Sequence, residues 1–184
     1  ADDGDIILTS ARLYSGYGLR RVYYSAFSPI PDASAELPLI APPLVREHRL
    51  YQADWLLRFY GFEAGELVPA GAPGQRMLSL EHDPKLAWAL AHRERFPVNL
   101  NTAARELLLR VPGLGVPSVD KLLAARRWRQ LRRADLERLR VPCARILPFV
   151  ECLDWHPGRS LDDPRLARRL VQPMTPPPQQ ASLF

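Results

Sequence analysis

The sequence predicts a mostly α-helical chain with one short β segment, and three observations predict that class. Apolar residues recur at helical spacing in several stretches, most clearly between Pro43 and Tyr60. Proline or a capping residue stands at the start of these stretches, and glycine ends some of them. One stretch, Arg20–Ile30, is rich in β-branched and aromatic residues, a composition typical of a strand.

The first hundred residues are expected to hold three helices and this strand. Pro43 suits the first turn of a helix, and Gly61 ends that helix. Asp83 is an N-cap type that precedes Pro84, a residue favoured in the first turn. In chain order we expect a helix over residues 5–17, a strand over 20–30, a proline-broken loop over 31–42, a helix over 43–60, a loop over 63–77 and a short helix over 84–92.

The second half of the chain is expected to hold four helices and then a disordered tail. Asn101 and Thr102 are residues that cap helices, so a helix is expected from there to Arg110. Further helices are expected over residues 116–128, 134–139 and 163–171. The tail, Gln172–Gln180, holds four prolines among nine residues and is predicted to be disordered.

Positive charge is concentrated in one part of the chain. The whole sequence carries a net charge of +5, yet residues 101–150 alone hold eleven Lys or Arg against four Asp or Glu, a net +7. A local basic excess of this kind indicates a polyanionic partner such as nucleic acid. Arginine supplies 23 of the 25 cations, but a general arginine bias does not explain their position.

Several other classes of protein are disfavoured. The sequence has no apolar stretch long enough to span a bilayer and no signal peptide pattern, so we expect a cytoplasmic protein without membrane contact. Its two cysteines, Cys143 and Cys152, fit neither a zinc site nor a disulfide framework and are expected to be inert thiols. The start at Ala1 indicates a fragment or a processed chain.

Two apolar stripes in the basic segment predict a pair of facing helices. Leu108 and Val111 lie three residues apart on the first helix, and Val119, Leu122 and Leu123 repeat at helical spacing on the second. The connection is short enough for these stripes to meet. We therefore expect a tight helical hairpin.

The turn of this hairpin, Pro112–Gly115, has the composition of an anion-binding turn. Gly113 and Gly115 let the backbone approach a phosphate, Leu114 can plug the gap between the helices, and Ser118 is a candidate hydroxyl donor. Amides at the start of the second helix would point at the anion. The cations expected to reach neighbouring phosphates are Lys121, Arg126, Arg127, Arg129, Arg132 and Arg133.

These residues resemble the helix-hairpin-helix family of DNA-backbone-binding modules. The resemblance covers residues 98–128, and residues 131–149 resemble the degenerate second half that often accompanies the motif. Val119 stands where the family favours alanine, and Pro117 stands where members often carry a basic residue. The alternative is a helical hairpin that serves only as a packing element or a protein-docking scaffold.

Stretches before the hairpin resemble a larger family. Gly18–Pro29, Pro43–Phe62 and Asp83–Thr102, together with the hairpin, are similar to the C-terminal half of radical SAM proteins assigned to DNA modification or repair. The resemblance implies that Val22–Phe27 is a late strand of a partial barrel. It also implies a partner that resembles uracil-DNA glycosylase.

In that family a Cys-x3-Cys-x2-Cys loop holds a four-iron–four-sulfur cluster that cleaves S-adenosylmethionine. The loop is missing here, and two distant cysteines cannot supply three thiolates. We therefore expect no cofactor and no catalysis from this chain as given. Either a catalytic half lies upstream of Ala1, which would make the parent a radical SAM enzyme, or the activity has been lost.

Two further features are candidates for function. Arg46–Arg49 contains Glu47 and His48, but adjacent helix residues do not share a face, so an acid–base pair is not favoured. The chain ends Gln180-Ala181-Ser182-Leu183-Phe184, which resembles the peptide that docks bacterial repair proteins on the sliding clamp. The expected clamp-binding residues are Gln180, Ser182, Leu183 and Phe184.

These features predict four regions. They are a C-terminal remnant of a radical SAM-like barrel over 1–62, a linker with a short helix over 63–97, the helix-hairpin-helix module over 98–150, and a C-terminal helix with a disordered tail over 151–184. The function expected from them is non-sequence-specific binding of the DNA backbone within a bacterial DNA repair or modification protein.

Overall fold

A computed structural model describes residues 2–27, residue 29 and residues 40–171. Its α-helices are α1 (Asp3–Tyr17), α2 (Leu44–Phe59), α3 (Ala64–Leu67), α4 (Pro84–Ala91), α5 (Arg105–Arg110), α6 (Val116–Arg126), α7 (Arg133–Arg138), α8 (Cys143–Ile146) and α9 (Leu166–Arg169). Short 3₁₀ helices lie at Arg93–Arg95, Leu147–Phe149 and Gly158–Asp162. Strands β1 (Val98–Asn99) and β2 (Val150–Glu151) form a small parallel sheet. A mostly helical chain with a short β segment is thus confirmed.

The predicted strand over residues 20–30 is wrong, because residues 21–27 form no strand and pair with no strand in the described structure. Side chains of neighbouring helices take the place of a strand partner. The Tyr51 hydroxyl accepts from the Tyr24 amide and donates to the Tyr24 carbonyl, both at 3.0 Å. The Glu47 carboxylate accepts from the Ala26 amide at 3.0 Å. The sheet of the described structure consists of β1 and β2. Val22–Phe27 is therefore not a barrel strand in this structure.

One of two predicted helix starts agrees with the structure. Asp83 caps α4 as expected, because its carboxylate accepts from the Leu86 amide at 3.0 Å. The predicted cap at Asn101 and Thr102 is wrong, since α5 begins only at Arg105. The Asn101 side chain instead accepts from the Leu131 amide at 2.6 Å and donates to the Leu131 carbonyl at 3.2 Å. Asn101 therefore joins the segment before α5 to the segment before α7.

The helix pairs α5–α6 and α7–α8 have related backbones. Gly113 in the first turn has φ +88°, and Arg140 in the second has φ +56°. Each is followed by a buried apolar residue, Leu114 and Val141 respectively. The strand β1 precedes the first pair and β2 follows the second, so their pairing ties the start of this region to its end.

One cluster of buried apolar residues runs from Ile7 to Leu166. The four regions expected from the sequence therefore share a core rather than folding around separate ones. Two short helices lie where the sequence predicts none: α3 falls in the expected loop over 63–77, and α8 follows the expected helix over 134–139. The last predicted helix, over 163–171, is shorter and consists of α9.

Candidate nucleic-acid interface

The helical hairpin expected from the sequence is confirmed. Leu108, Val111, Val119 and Leu122 are all fully buried between α5 and α6 or against the core. Leu114 is 1% exposed, so it fills the gap at the turn as expected. The turn is closed by a hydrogen bond from the Leu114 amide to the Val111 carbonyl at 3.1 Å.

The two glycines of the turn have different roles. Gly113 adopts a left-handed conformation, and a Cβ there would lie 3.0 Å from Cβ of Arg145 and 3.2 Å from Cγ2 of Ile146. Gly113 is thus required by backbone conformation and by the packing of α8. Gly115 has φ −92°, which any residue adopts, and a Cβ there would lie at an ordinary 3.5 Å from the Tyr60 hydroxyl. The fold therefore does not require glycine at position 115.

Backbone amides around the turn are available to a ligand. Within residues 2–27 and 40–171, the amides of Gly113, Gly115, Val116 and Ser118 donate to no backbone or side-chain acceptor. Three of them lie at or just before the N-terminus of α6, where the helix dipole favours an anion. This arrangement can hold a phosphate oxygen without any side-chain contact.

The second helix pair does not reproduce this arrangement. Arg140 occupies the left-handed position in place of glycine, and Pro142 precedes α8 where Gly115 precedes α6. Proline has no amide hydrogen, so the donor that Gly115 offers is missing. The second pair instead supports the first turn, because Arg145 and Ile146 pack against Gly113. This geometry supports one anion-binding turn rather than two.

Some of the expected cations are free at the surface. Lys121, Arg127 and Arg132 are exposed and form no ion pair with an acidic residue in the described part of the chain. Lys121 lies three residues after the half-buried Ser118 and so on the same side of α6. Arg133 is also exposed, and its guanidinium lies 5.0 Å from the centre of the Trp155 ring.

Other expected cations are engaged within the protein. The Arg126 guanidinium donates to the carbonyls of Ala103 at 2.7 Å and Leu100 at 3.2 Å, so it supports the segment before α5. Arg129 forms an ion pair with the buried carboxylate of Asp135. Arg126 in particular has little freedom to reach DNA, because both of its acceptors lie within the protein.

A cleft of about 490 Å³ opens beside the turn, and it was not expected from the sequence. Gly113, Leu114 and Gly115 form one side of it. The other residues come from α2, the start of α4 and α8: Tyr51, Gln52, Trp55, Leu56, Tyr60, Asp83, Pro84, Lys85 and Arg145. The only sequence signal for this cleft is Lys85 itself, one of two lysines in the chain and the single charge in the apolar helix α4.

Lys85 is 6% exposed, and its ammonium donates to the Leu114 carbonyl at 2.5 Å. The same nitrogen lies 4.7 Å from the centre of the Tyr60 ring. Burial lowers the pKa of Lys85 to about 7, against the attraction of Asp83, and the neighbouring Arg145 adds to the decrease. Asp83 and Arg145 form an ion pair with each other at the edge of the cleft. A buried lysine is thus fixed behind the turn, and it is only partly protonated at neutral pH.

Between pH 7 and pH 9, the free energy of unfolding of the wild type is expected to rise by about 2 kcal/mol more than that of the variant Lys85→Met. The folded pKa of about 7 lies below the ordinary value of 10.5, so in this range the unfolded chain binds the proton and the folded chain releases it. Stability therefore rises with pH. Urea unfolding of both proteins at pH 7, 8 and 9 measures this. A stability difference that does not change with pH would show that Lys85 titrates normally.

The other polar candidates have structural partners. Glu47 accepts from the Ala26 amide, and Arg46 pairs with the buried Asp3 at 2.6 Å. Arg49 is buried and donates to Gln52 and to the Leu80 carbonyl, both at 2.9 Å. The Arg46–Arg49 cluster thus joins α2 to its neighbours. The Glu47 carboxylate binds a backbone amide rather than His48.

The two cysteines do not fit the iron–sulfur cluster that the family resemblance implies. Such a cluster needs at least three thiolates from the protein, and the sequence has two cysteines. Burial raises the pKa of both Cys143 and Cys152, although hydrogen bonds from backbone groups oppose it, so both remain protonated thiols at neutral pH. The Cys152 thiol donates to the Asp154 carboxylate at 3.6 Å.

The expected clamp-binding residues, Gln180, Ser182, Leu183 and Phe184, lie outside the described residues, as does the tail predicted to be disordered. Among the helices that the structure describes, none combines the length and apolar content that crossing a membrane requires. Comparison of the chain with protein-family models, curated proteins and solved structures finds no match.

Proposed function

We propose that this chain binds the sugar–phosphate backbone of DNA at the Gly113–Gly115 turn. The observation that supports this most strongly is the group of unpaired amides around the turn, at the N-terminus of α6. The turn also lies in the part of the sequence that carries a net charge of +7. Amides aimed at a phosphate, with cations around them, are the usual means of gripping a nucleic-acid backbone.

Binding of this type is independent of base sequence. Phosphate contacts position a protein on DNA but do not read bases, and the exposed cations Lys121, Arg127 and Arg132 add attraction of the same kind. A single anion-binding turn limits the number of phosphates held. The chain therefore binds DNA with modest affinity. Its role is to keep a catalytic segment or partner protein close to the DNA.

We further propose that this activity is DNA repair or modification, supplied by a separate segment or partner. The support is the resemblance of Gly18–Pro29, Pro43–Phe62 and Asp83–Thr102 to radical SAM proteins of that role. The cysteines present do not fit the cluster of that family, so no chemical step is assigned to this chain. A uracil-DNA-glycosylase-like protein and the sliding clamp are the proposed partners, the latter through Gln180–Phe184.

The affinity for duplex DNA is expected to fall steeply with salt concentration. Each phosphate contact releases counterions, so log K falls with log salt. Removing one cation that touches a phosphate makes this slope less steep by about 1. Fluorescence anisotropy with a labelled duplex at 50–200 mM salt measures the slope for the wild type and for Lys121→Gln and Arg127→Gln. Each variant is expected to bind a few-fold more weakly at low salt.

The matched control is Arg12→Gln, which removes an exposed cation from α1, away from the turn. We expect its affinity and slope to equal those of the wild type. Affinity that does not change with salt, or equal losses in all three variants, would contradict backbone binding at α6. In that case the hairpin would be better explained as a protein-docking scaffold.

A further inference from the structure

We infer that the cleft beside the hairpin receives one unpaired nucleotide of a bound DNA strand, with its base between the turn and α2. This rests on the proposed function, since the neighbouring phosphate is the one held at the Gly113–Gly115 turn. The cleft volume of about 490 Å³ lies within the range of about 300–1,000 Å³ typical of small-molecule sites. Its size suits a single nucleotide rather than a folded partner.

An aromatic residue forms the wall on which a base can stack. Trp55 lines the cleft and is 52% exposed, although tryptophan is usually more buried. Its ring lies against Phe59, with centroids 4.4 Å apart, and the Arg58 guanidinium lies 5.6 Å from the ring centre. These neighbours hold the indole in position. Stacking on a half-exposed indole is a common way to bind an unpaired base.

A polar side chain beside this wall is held in position for hydrogen bonding. The Gln52 side-chain oxygen accepts from Nη1 of Arg49 at 2.9 Å, and Arg49 is itself 6% exposed. The Gln52 amide nitrogen has no acceptor in the described part of the chain, so its two hydrogens are available to the edge of a base. A fixed amide next to an aromatic face matches the two needs of a nucleobase.

The other end of the cleft is polar. The Lys85 ammonium lies behind the turn on the Leu114 carbonyl, and Arg145 lies at the edge, paired with Asp83. Gly113 and Gly115, whose amides have no acceptor in the described part of the chain, line the same end of the cleft. Phosphate recognition and the aromatic wall are therefore parts of one continuous surface. A base stacked within a duplex is not accessible to a recessed wall, so the base must be unpaired or extruded.

The test compares two labelled duplexes of the same sequence, one fully paired and one with a single unpaired nucleotide at its centre. The wild type is expected to bind the second about tenfold more tightly in fluorescence anisotropy. Trp55→Ala is expected to bind both duplexes equally, with the affinity of the wild type for the paired duplex. Gln52→Ala reduces the preference, and Trp55→Tyr retains it because a stacking ring remains.

Trp128→Ala is the control, since Trp128 is 89% exposed and lies outside the cleft. It should keep the preference. A bulged duplex bends more easily than a paired one, and bending alone can favour its binding. A preference that survives in Trp55→Ala would therefore overturn the inference. Equal binding of both duplexes by the wild type would overturn it as well. Failure of the wild type to bind the paired duplex would instead overturn the proposed function.

Discussion

Replacing Gly113 with alanine is expected to lower the free energy of unfolding by about 3 kcal/mol. Two costs combine in this figure. A non-glycine residue at φ +88° costs about 1–2 kcal/mol. The added methyl group would also lie 3.0 Å from Cβ of Arg145, and crowding in a packed site costs about 1–3 kcal/mol.

Comparing the losses of stability of Gly113→Ala and Gly74→Ala in urea unfolding separates these two costs. Gly74 has φ +87°, almost the same conformation, but a Cβ there would have no atom within 4 Å. Gly74→Ala should therefore lose only about 1 kcal/mol, from the backbone alone. Equal losses in the two variants would mean that α8 does not pack against the turn.

Replacing Gly115 with valine is expected to weaken DNA binding about 50-fold while leaving the fold intact. Gly115 has an unstrained φ of −92°, and a Cβ there would make only ordinary contacts with Tyr60 and Pro117. A branched side chain would occupy the space through which a phosphate approaches the amides. Loss of charge-assisted hydrogen bonds, each worth about 1.5–3 kcal/mol, accounts for an effect of about 2.3 kcal/mol.

Anisotropy with a duplex measures the affinity, and urea unfolding confirms that the variant is folded. Gly115→Ala serves as an intermediate case, since a single methyl group blocks less of the approach. We expect affinity to fall in the order Gly, Ala, Val, with the free energy of unfolding lower by at most about 1 kcal/mol because Gly115 is the N-cap of α6. If Gly115→Val binds DNA like the wild type, the phosphate is not held at this turn.

The hairpin was predictable because its signals are local. The spacing of Leu108, Val111, Val119 and Leu122 fixes which faces meet, and glycine between two helices marks the turn. The cap of α4 at Asp83 was predictable for the same reason. Each stripe and the cap depend on residues within about one turn of helix, which the sequence shows directly.

Features that depend on distant residues were not predictable. The segment before Phe27 has strand-like composition, but whether it joins a sheet depends on its neighbours, and Tyr51 and Glu47 on α2 occupy that place. Asn101 has the character of a helix cap, yet Leu131, thirty residues later, takes both of its hydrogen bonds. The sequence pattern does not show which partner such a side chain will find.

The candidate site was predictable in part. Gly113, Leu114 and Gly115 lie together at the turn, as their spacing implies. The cleft beside them was missed because Trp55, Lys85 and Arg145 come from three separate helices, and only folding brings them together. The contacts of Arg126 were not predictable for the same reason, since its acceptors, the carbonyls of Leu100 and Ala103, are more than twenty residues away.

The most direct test of the account is an NMR titration of the ¹⁵N-labelled protein with duplex DNA, following individual backbone amides. Phosphate binding at the turn predicts the largest shifts at Gly113, Gly115, Val116 and Ser118. Gly18 and Gly74 serve as internal references and should not change. Shifts concentrated elsewhere, with the amides of Gly113 and Gly115 unaffected at saturation, would contradict binding of the DNA backbone by this turn.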